Sequence, residues 1–295
     1  MVDLRDLQCL AALARHRHFA RAASECGLSQ PAFSMRIRGL EERLGTTIVR
    51  RGNRFQGLTR EGDTILTHAR RILDEVRALE QDVRAARGDI AGNLSLGAIP
   101  TAAAYAAHAT IWLKAAHPGI TVRIETTNSL AIQQGVEAGN FDAGITYTEG
   151  ASRDLLTVEP LYDETYVLVC PEAQAPRREG SATWSEAAAL SLTLLEPQMQ
   201  NRRILDRVFE EAGALPNVSS ETDGLTAAMV LAVQGLSATV LPQVMVDSLG
   251  PLEGTVVLPL VEPVVETSIS LVTPLRRPHI PIVEALRTTL AARQR

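Results

Sequence analysis

Leu4, Leu7, Leu10, Ala11 and Ala14 recur at intervals of three and four, which predicts an amphipathic helix over 3–15. Phe19, Ala22, Ala23 and Cys26 share the face of a second helix, with Gly27 as its C-terminal cap. Ser29 is a suitable N-cap for a third helix, and Pro31 falls in its first turn, where a missing N–H costs little. Phe33, Ile37, Leu40 and Leu44 form the expected buried stripe before Gly45. From Thr59 to about Arg87 only Gly62 interrupts a run of helix formers. Ile65, Ala69, Ile72, Val76, Leu79, Val83 and Ala86 then follow the alternating four-and-three spacing of a coiled-coil seam. At 1.5 Å per residue such a helix spans ~40 Å, long enough to favour a second chain as its partner.

A linker flanked by Gly88 and Gly92 opens a different pattern. Short apolar runs of strand length (93–99, "TVRIET", "DAGITYT", "ETYVLVC", "LTLLE", "SATVLP" and "SISLVT") alternate with helical stretches at 102–116, 130–138, 184–189, 201–212, 224–234, 242–248 and 280–293. Alternation of this kind predicts α/β units around mainly parallel sheets. The expected division is 1–60, a linker helix over 61–90, and a body over 91–295.

Charge sharpens that division. Residues 1–60 carry 11 arginines and 5 acids, a net of +6, whereas the remainder carries 18 basic and 29 acidic residues, a net of -11. A basic front on a chain of formal charge -5 points to an anionic polymer as the partner of that part alone. No apolar run reaches the ~18–20 residues that cross a bilayer, and "MVDLRDLQCL" lacks the basic start of a secretory signal, so a cytoplasmic protein with no membrane partner is expected. Cys9, Cys26 and Cys170 are odd in number and form no CxxC pair, and the six histidines do not cluster. Small buried thiols and no metal are expected.

Two short helices joined by a tight glycine-containing turn, the second one basic, make a helix-turn-helix. The face opposite the apolar stripe offers Gln30, Ser34 and Arg38, with Met35 and Arg36 beside them. Gln can pair with adenine through two hydrogen bonds, Ser suits either base type, and Arg binds guanine or phosphate. In "TTIVRRGNRFQGLTREG", Arg50, Arg51 and Arg54 surround a Gly52–Asn53 turn, which predicts an arginine-bearing wing along the phosphates. Any one arginine is as well explained by a solvated surface. The order of helix, turn, helix and wing is what carries the reading.

"FARAASECGLSQPAFSMRIRGLEERLG" followed by "RRGNRFQGLTREG" resembles the N-terminal domain of LysR-type transcriptional regulators. The matching positions are Ala22, Ala23, Ser29, Gln30, Pro31, Ala32 and Ser34, then Leu40, Glu41, Leu44 and Gly45, then Leu58, Thr59 and Gly62. Met35 departs from the pattern, as does "TTIVRR" where "LF-x-R" is more usual. The resemblance implies an all-α winged helix-turn-helix domain with DNA contacts from Ser29, Gln30, Pro31, Ser34, Arg36, Arg38, Arg50, Arg51 and Arg54. It implies a homodimer through the linker helix on an inverted-repeat site, a homotetramer through the bodies, and leaves RNA polymerase open as a further partner. For the body it implies two α/β subdomains of the periplasmic-binding-protein type, about 91–162 with 268–295 and about 163–267, joined by crossover strands near 162–168 and 264–271, with a small effector between them.

The residues themselves support a cleft at the helix starts. Ligands of open α/β sheets bind beyond the carboxyl ends of strands, where helix N-termini offer free N–H groups. Thr101, Asn128, Ser129 and Asn201 open helices there, Thr146 ends a strand, and Arg202 is the candidate for a full charge on a polar or anionic effector. A residue at such a start often only caps the helix. "GAIPTA", "DAGITY" and "MQNRRI" look similar to regulators of NAD-linked formate dehydrogenase operons, which implies formate or another small carboxylate as effector and no cofactor. A nucleophile elbow, a dinucleotide fingerprint and a P-loop are all missing, so an enzyme is not expected. A solute receptor would fit the body alone, but not the basic front.

Overall fold

Asp3 opens the first helix: its carboxylate accepts from the Arg5 N–H while Asp6 accepts from the Asp3 N–H, a reciprocal cap that starts α1 (Leu4–His16). These features belong to a computed structural model that describes residues 1–50, 55–85, 90–176, 180–275 and 280–293. The chain divides into two compact units, the first made chiefly of Met1–Gly92 and the second of Asn93–Glu137 with Phe141–Leu275.

In the first unit, α2 (Phe19–Glu25) leads to Ser29, whose hydroxyl accepts from the Ala32 N–H at the start of α3 (Gln30–Leu44). Phe33, Ile37 and Leu40 pack with Leu7, Leu10 and Leu13 of α1 and Ala22 and Ala23 of α2. Phe19 meets Phe33 edge to face with ring centroids 6.1 Å apart. Leu44, expected in the same stripe, is instead 39% exposed, because α3 ends at the next residue, Gly45, and Leu44 lies outside the cluster. The wing is minimal. Val49 and Leu58 form one antiparallel bridge, Arg50 N–H donates to Gly57 O at 3.0 Å, and Thr59 N–H donates to Ile48 O at 2.9 Å. Arg51, Gly52, Asn53 and Arg54 lie outside the described residues.

Helix α4 (Arg60–Ala85) starts against this bridge. The Gly62 N–H donates to Thr59 Oγ1 at 2.9 Å, and a Cβ on Gly62 would stand 2.2 Å from the Ile48 carbonyl oxygen. The expected seam splits in two. Ala69 and partly buried Ile65 belong to the core of the first unit, together with Leu66 and Leu73. Ile72, Leu79 and Val83 are exposed, with Val76 partly buried among them, and Ala86 lies outside the described residues.

The second unit is α/β. Its strands are β1 (Gly92–Ala98), β2 (Ile120–Thr126), β3 (Ala143–Tyr147), β4 (Leu156–Pro171), β5 (Ala182–Thr183), β6 (Ser191–Leu195), β7 (Asn217–Thr222), β8 (Thr239–Pro242), β9 (Thr255–Val261) and β10 (Glu266–Pro274). Between them run α5 (Ala103–Ala116), α6 (Ser129–Ala138), α7 (Trp184–Ala188), α8 (Gln200–Glu211), α9 (Leu225–Val233) and α10 (Gln243–Leu249), and α11 (Pro281–Ala291) follows. The main sheet runs β2-β1-β3-β10-β4-β9-β5, with β8 also on β4 and a separate β6-β7 pair.

The pairing is less parallel than the alternation suggests. β1 with β3, β5 with β9 and β6 with β7 are parallel, but β10 runs antiparallel to β3 and β4, and β4 runs antiparallel to β8 and β9. Strand β4 explains this. Its first part, Leu156–Thr165, pairs with β10, and from Tyr166 it pairs with β8 and β9 instead. One long strand thus passes from one lobe to the other, and each lobe is built on its own side of that passage. Leu168 and Cys170 pack with Trp184, Leu205 and Phe209 on one face, while Val167 and Val169 pack with Leu225 and Leu241 on the other. No helix among the described residues is long and apolar enough to cross a membrane.

Candidate functional site

Helix α3 carries the candidate reading face. Gln30, Ser34 and Arg38 stand four residues apart and so share one side of the helix; Gln30 and Arg38 are exposed and Ser34 is half-buried. Met35 is 68% exposed beside them. Ser29 and Pro31 are exposed at the helix start, where Ser29 is occupied as the cap. Arg50 is exposed on the wing.

Arg36 has a different job. Its Nη1 lies 2.9 Å from Oδ1 of Asp6, which is 2% exposed, and Arg43 donates to the other oxygen of the same carboxylate. A nearly buried acid requires partners, and this one takes both arginines from α3. The result ties α3 to α1 and fixes the angle at which Gln30, Ser34 and Arg38 are presented, while Arg36 is committed inside the module.

In the second unit the predicted cleft residues separate into three groups. Thr101 and Asn201 come together around Tyr147. Thr101 Oγ1 is 3.2 Å from Tyr147 OH, and Asn201, 4% exposed, lies near the same hydroxyl but outside hydrogen-bond geometry. Both side-chain polar atoms of Asn201 lack a partner, although it sits at the start of α8, whose N-cap Met199 supplies no side-chain bond. Ser129, at the start of α6, and Thr146 are also buried with unpartnered hydroxyls. Thr146 precedes Tyr147 on β3, so strand alternation turns it to the opposite face, the one α6 covers.

Asn128 and Arg202 are spent locally. Asn128 Oδ1 accepts from the Ala131 N–H at 2.9 Å, which makes it the cap of α6. Arg202 bonds Asp206 at 2.8 Å, Glu221 at 2.7 Å and the Leu195 carbonyl at 2.9 Å. Its charge is matched by two carboxylates, so it is not the cation that the sequence reading assigned to an anion.

The structure adds a group that the sequence reading missed. Tyr147 on β3, Ile269 on β10 and Tyr162 on β4 are register partners in one row, and Glu164 stands opposite Thr267 on the same face. Tyr162, Glu164 and Tyr166 therefore line this face together, where β4 passes between the lobes. Tyr166 OH donates to Thr267 Oγ1 at 3.2 Å. Glu164 is 1% exposed, and neither carboxylate oxygen has a partner; the Tyr162 hydroxyl is unpartnered too. Burial pushes the Glu164 carboxyl up to about 8, with the nearby Tyr166 and Thr101 hydroxyls pulling it partly back. Burial first, then the Glu164 charge, raises the phenols of Tyr147, Tyr162 and Tyr166 above their ordinary value. The lobes also meet where Gln200 Nε2 donates to the Glu149 carbonyl at 3.2 Å.

All three thiols are poorly disposed to ionise. Burial pushes Cys9 up to about 12, and it is the leading cause of raised values at Cys26 and Cys170.

Known proteins share both units. Residues 4–63 match the model described as bacterial regulatory helix-turn-helix protein, lysR family, and residues 87–295 match the one described as LysR substrate binding domain. The chain is 29% identical over 294 residues to the DNA-binding transcriptional dual regulator OxyR of Escherichia coli (strain K12), covering 98% of this chain and 96% of that protein. A solved full-length OxyR variant from Pseudomonas aeruginosa superimposes with a TM-score of 0.77 at 26% identity, covering 98% of this chain and 95% of that one. Full-length CbnR complexed with its target DNA has a TM-score of 0.67 at 22% identity, with all of both chains covered, and shares the fold.

Proposed function

The chain belongs to the LysR family of DNA-binding transcriptional regulators, and from that membership we propose how its own residues divide the work. Gln30, Ser34 and Arg38 read base edges in the major groove, and Arg50 lies along the phosphate backbone. Ser29 and Pro31 set the start of the reading helix, and Arg36 holds its angle through Asp6. Arg51 and Arg54, outside the described residues, belong with Arg50 as phosphate contacts. Gln30→Ala should weaken binding to the operator by about tenfold while leaving binding to unrelated duplex within about twofold, since one good bidentate pair is worth ~1–3 kcal/mol of discrimination. Fluorescence anisotropy on both duplexes measures this, and an equal loss on each would remove the base-reading role.

The stripe of exposed Ile72, Leu79 and Val83 with half-buried Val76 is the dimer seam, and two reading helices then fit an inverted repeat. A homotetramer through the regulatory units, contact with RNA polymerase, and action in the cytoplasm complete the proposal.

The effector is formate or another small carboxylate, held between the lobes of the second unit by Thr101, Asn201 and Tyr147, while Ser129 and Thr146, unpartnered on the α6 side of β3, are polar candidates outside that group. One observation carries this: Asn201 is buried at a helix start with its donors and its acceptor all unused. Such groups cost roughly 1–3 kcal/mol each unless something satisfies them. Some relatives are named as hydrogen peroxide-inducible activators. Peroxide attack needs a thiolate, and the thiols here are held protonated by burial.

Thermal unfolding of the full chain with sodium formate, acetate, glycolate and oxalate tests the reading. A bound carboxylate should raise the melting temperature in proportion to log concentration above its dissociation constant. Thr101→Val should cut that response at least fivefold while operator affinity stays within twofold. An unchanged response in the variant would remove Thr101 from the site.

A further inference from the structure

We propose that this cleft takes its anionic ligand without a cation, using Glu164 as a neutral carboxylic acid whose O–H donates to a ligand carboxylate oxygen. The inference rests on the small-carboxylate reading above and specifies how the charge is received. Its basis is geometric. Glu164 sits where β4 leaves β10 and joins β8, so it belongs to both lobes. It is 1% exposed, and both its oxygens lack partners. Around it stand Tyr147 from β3, Tyr162 and Tyr166 from β4, Thr267 from β10, Thr101 from the turn after β1, and Asn201 from α8.

The charge inventory excludes the ordinary arrangement. The titratable side chains set against Glu164 are Tyr147, Tyr162 and Tyr166, with Tyr105 of α5 packed on Tyr162, and all four phenols are pushed upward, so they stay neutral through pH 9. Thr101, Thr267 and Asn201 carry no charge. Arg202, next to Asn201, is closed into Asp206 and Glu221. An ionised Glu164 would therefore face a carboxylate ligand as an unscreened like charge. A protonated Glu164 gives that ligand a strong donor instead, joined by Tyr162 OH and Asn201 Nδ2, both without partners. Burial has already placed the carboxyl near 8, so at neutral pH the acid form is the one present. A neutral acid donating in an apolar site is an established way of stabilising negative charge.

Binding must then be linked to a proton. Below pH 8 Glu164 already holds it; above, the ligand and a proton enter together. Taking the carboxyl at about 8, the dissociation constant of a small carboxylate should weaken about tenfold between pH 7 and pH 9.

Isothermal titration calorimetry of the full chain with sodium formate and sodium acetate at pH 6, 7 and 9, at constant ionic strength, reads this directly. The expected result is that tenfold loss, with nearly one proton taken up per ligand at pH 9 and almost none at pH 6, from the dependence of heat on buffer ionisation. Glu164→Gln keeps the shape and an N–H donor but cannot ionise, and it should bind with the same constant at all three values. Methylammonium chloride is the opposing probe: if it binds, and binds more tightly as pH rises, Glu164 is a counter-ion and the inference is wrong. Carboxylate binding that is independent of pH without proton uptake overturns the inference while leaving the cleft reading intact. If neither carboxylate binds at any pH, the inference and the cleft reading both fall.

Discussion

Gly62→Ala should abolish operator binding and lower the stability of the DNA-reading module by about 3 kcal/mol or more, a large effect for a single methyl group. The added Cβ would stand 2.2 Å from the Ile48 carbonyl oxygen and 3.1 Å from its carbonyl carbon. Both are backbone atoms, so no side chain can swing aside. Relief requires α4 to lift from the wing bridge, which breaks the Thr59 N–H bond to the same Ile48 oxygen and the Thr59 hydroxyl cap on Gly62. Ile48, Val49, Leu58 and Leu66 are buried at that contact and would be opened with it. Urea unfolding followed by circular dichroism should show an early transition for the first unit, with the carboxylate-induced stabilisation of the second unit retained. Wild-type unfolding in this variant would mean that the helix and the bridge are not in the tight contact described.

Leu79→Glu should convert the protein to monomers and lower operator affinity by at least a hundredfold without disturbing either fold. Leu79 is 64% exposed at the centre of the stripe formed by Ile72, Val76 and Val83. A seam with that spacing buries its apolar residues against a second helix, and two glutamates facing each other there would lose the burial and add repulsion. Each monomer would retain one reading helix, and loss of the second removes the effective-concentration gain of bivalent binding, typically 10²- to 10⁴-fold. Sedimentation velocity reads the assembly and anisotropy reads the DNA. A variant that remains a dimer would move the seam elsewhere.

How much of this was legible varies with how local the determining physics is. The caps at Ser29 and Gly45 and the stripe of Phe33, Ile37 and Leu40 need only neighbours in sequence, and they stand where the spacing puts them. Gly62 could be read as a motif position, but its reason lies in a backbone 14 residues away. Arg36 counts among the expected DNA contacts because the partner that engages it, Asp6, is 30 residues earlier and invisible to local spacing. Arg202 could have been discounted, since Asp206 stands four residues on, at ion-pairing distance along a helix.

Strands were lost for related reasons. β7 reads "NVSSET", too polar to register, and β9 carries Pro259 in its middle. Only the apolar end of β4 looked like a strand, because Pro160 and Asp163 interrupt its first half. Glu164 was visible on the same alternating face as Tyr166, Leu168 and Cys170, yet an acid at the start of a run ordinarily marks the point where a strand leaves solvent. Here the run continues backward through Tyr162 into the other lobe, which is why the acid is buried.

The central claim is that the first unit binds duplex DNA specifically. Its most direct test is the affinity of the purified chain for a fragment of its own upstream region and for a scrambled fragment, each measured over a range of salt. The account predicts that log affinity falls linearly with log salt on both fragments, with the upstream fragment preferred by at least a hundredfold throughout. Equal affinity for the two, or an affinity indifferent to salt, would contradict it.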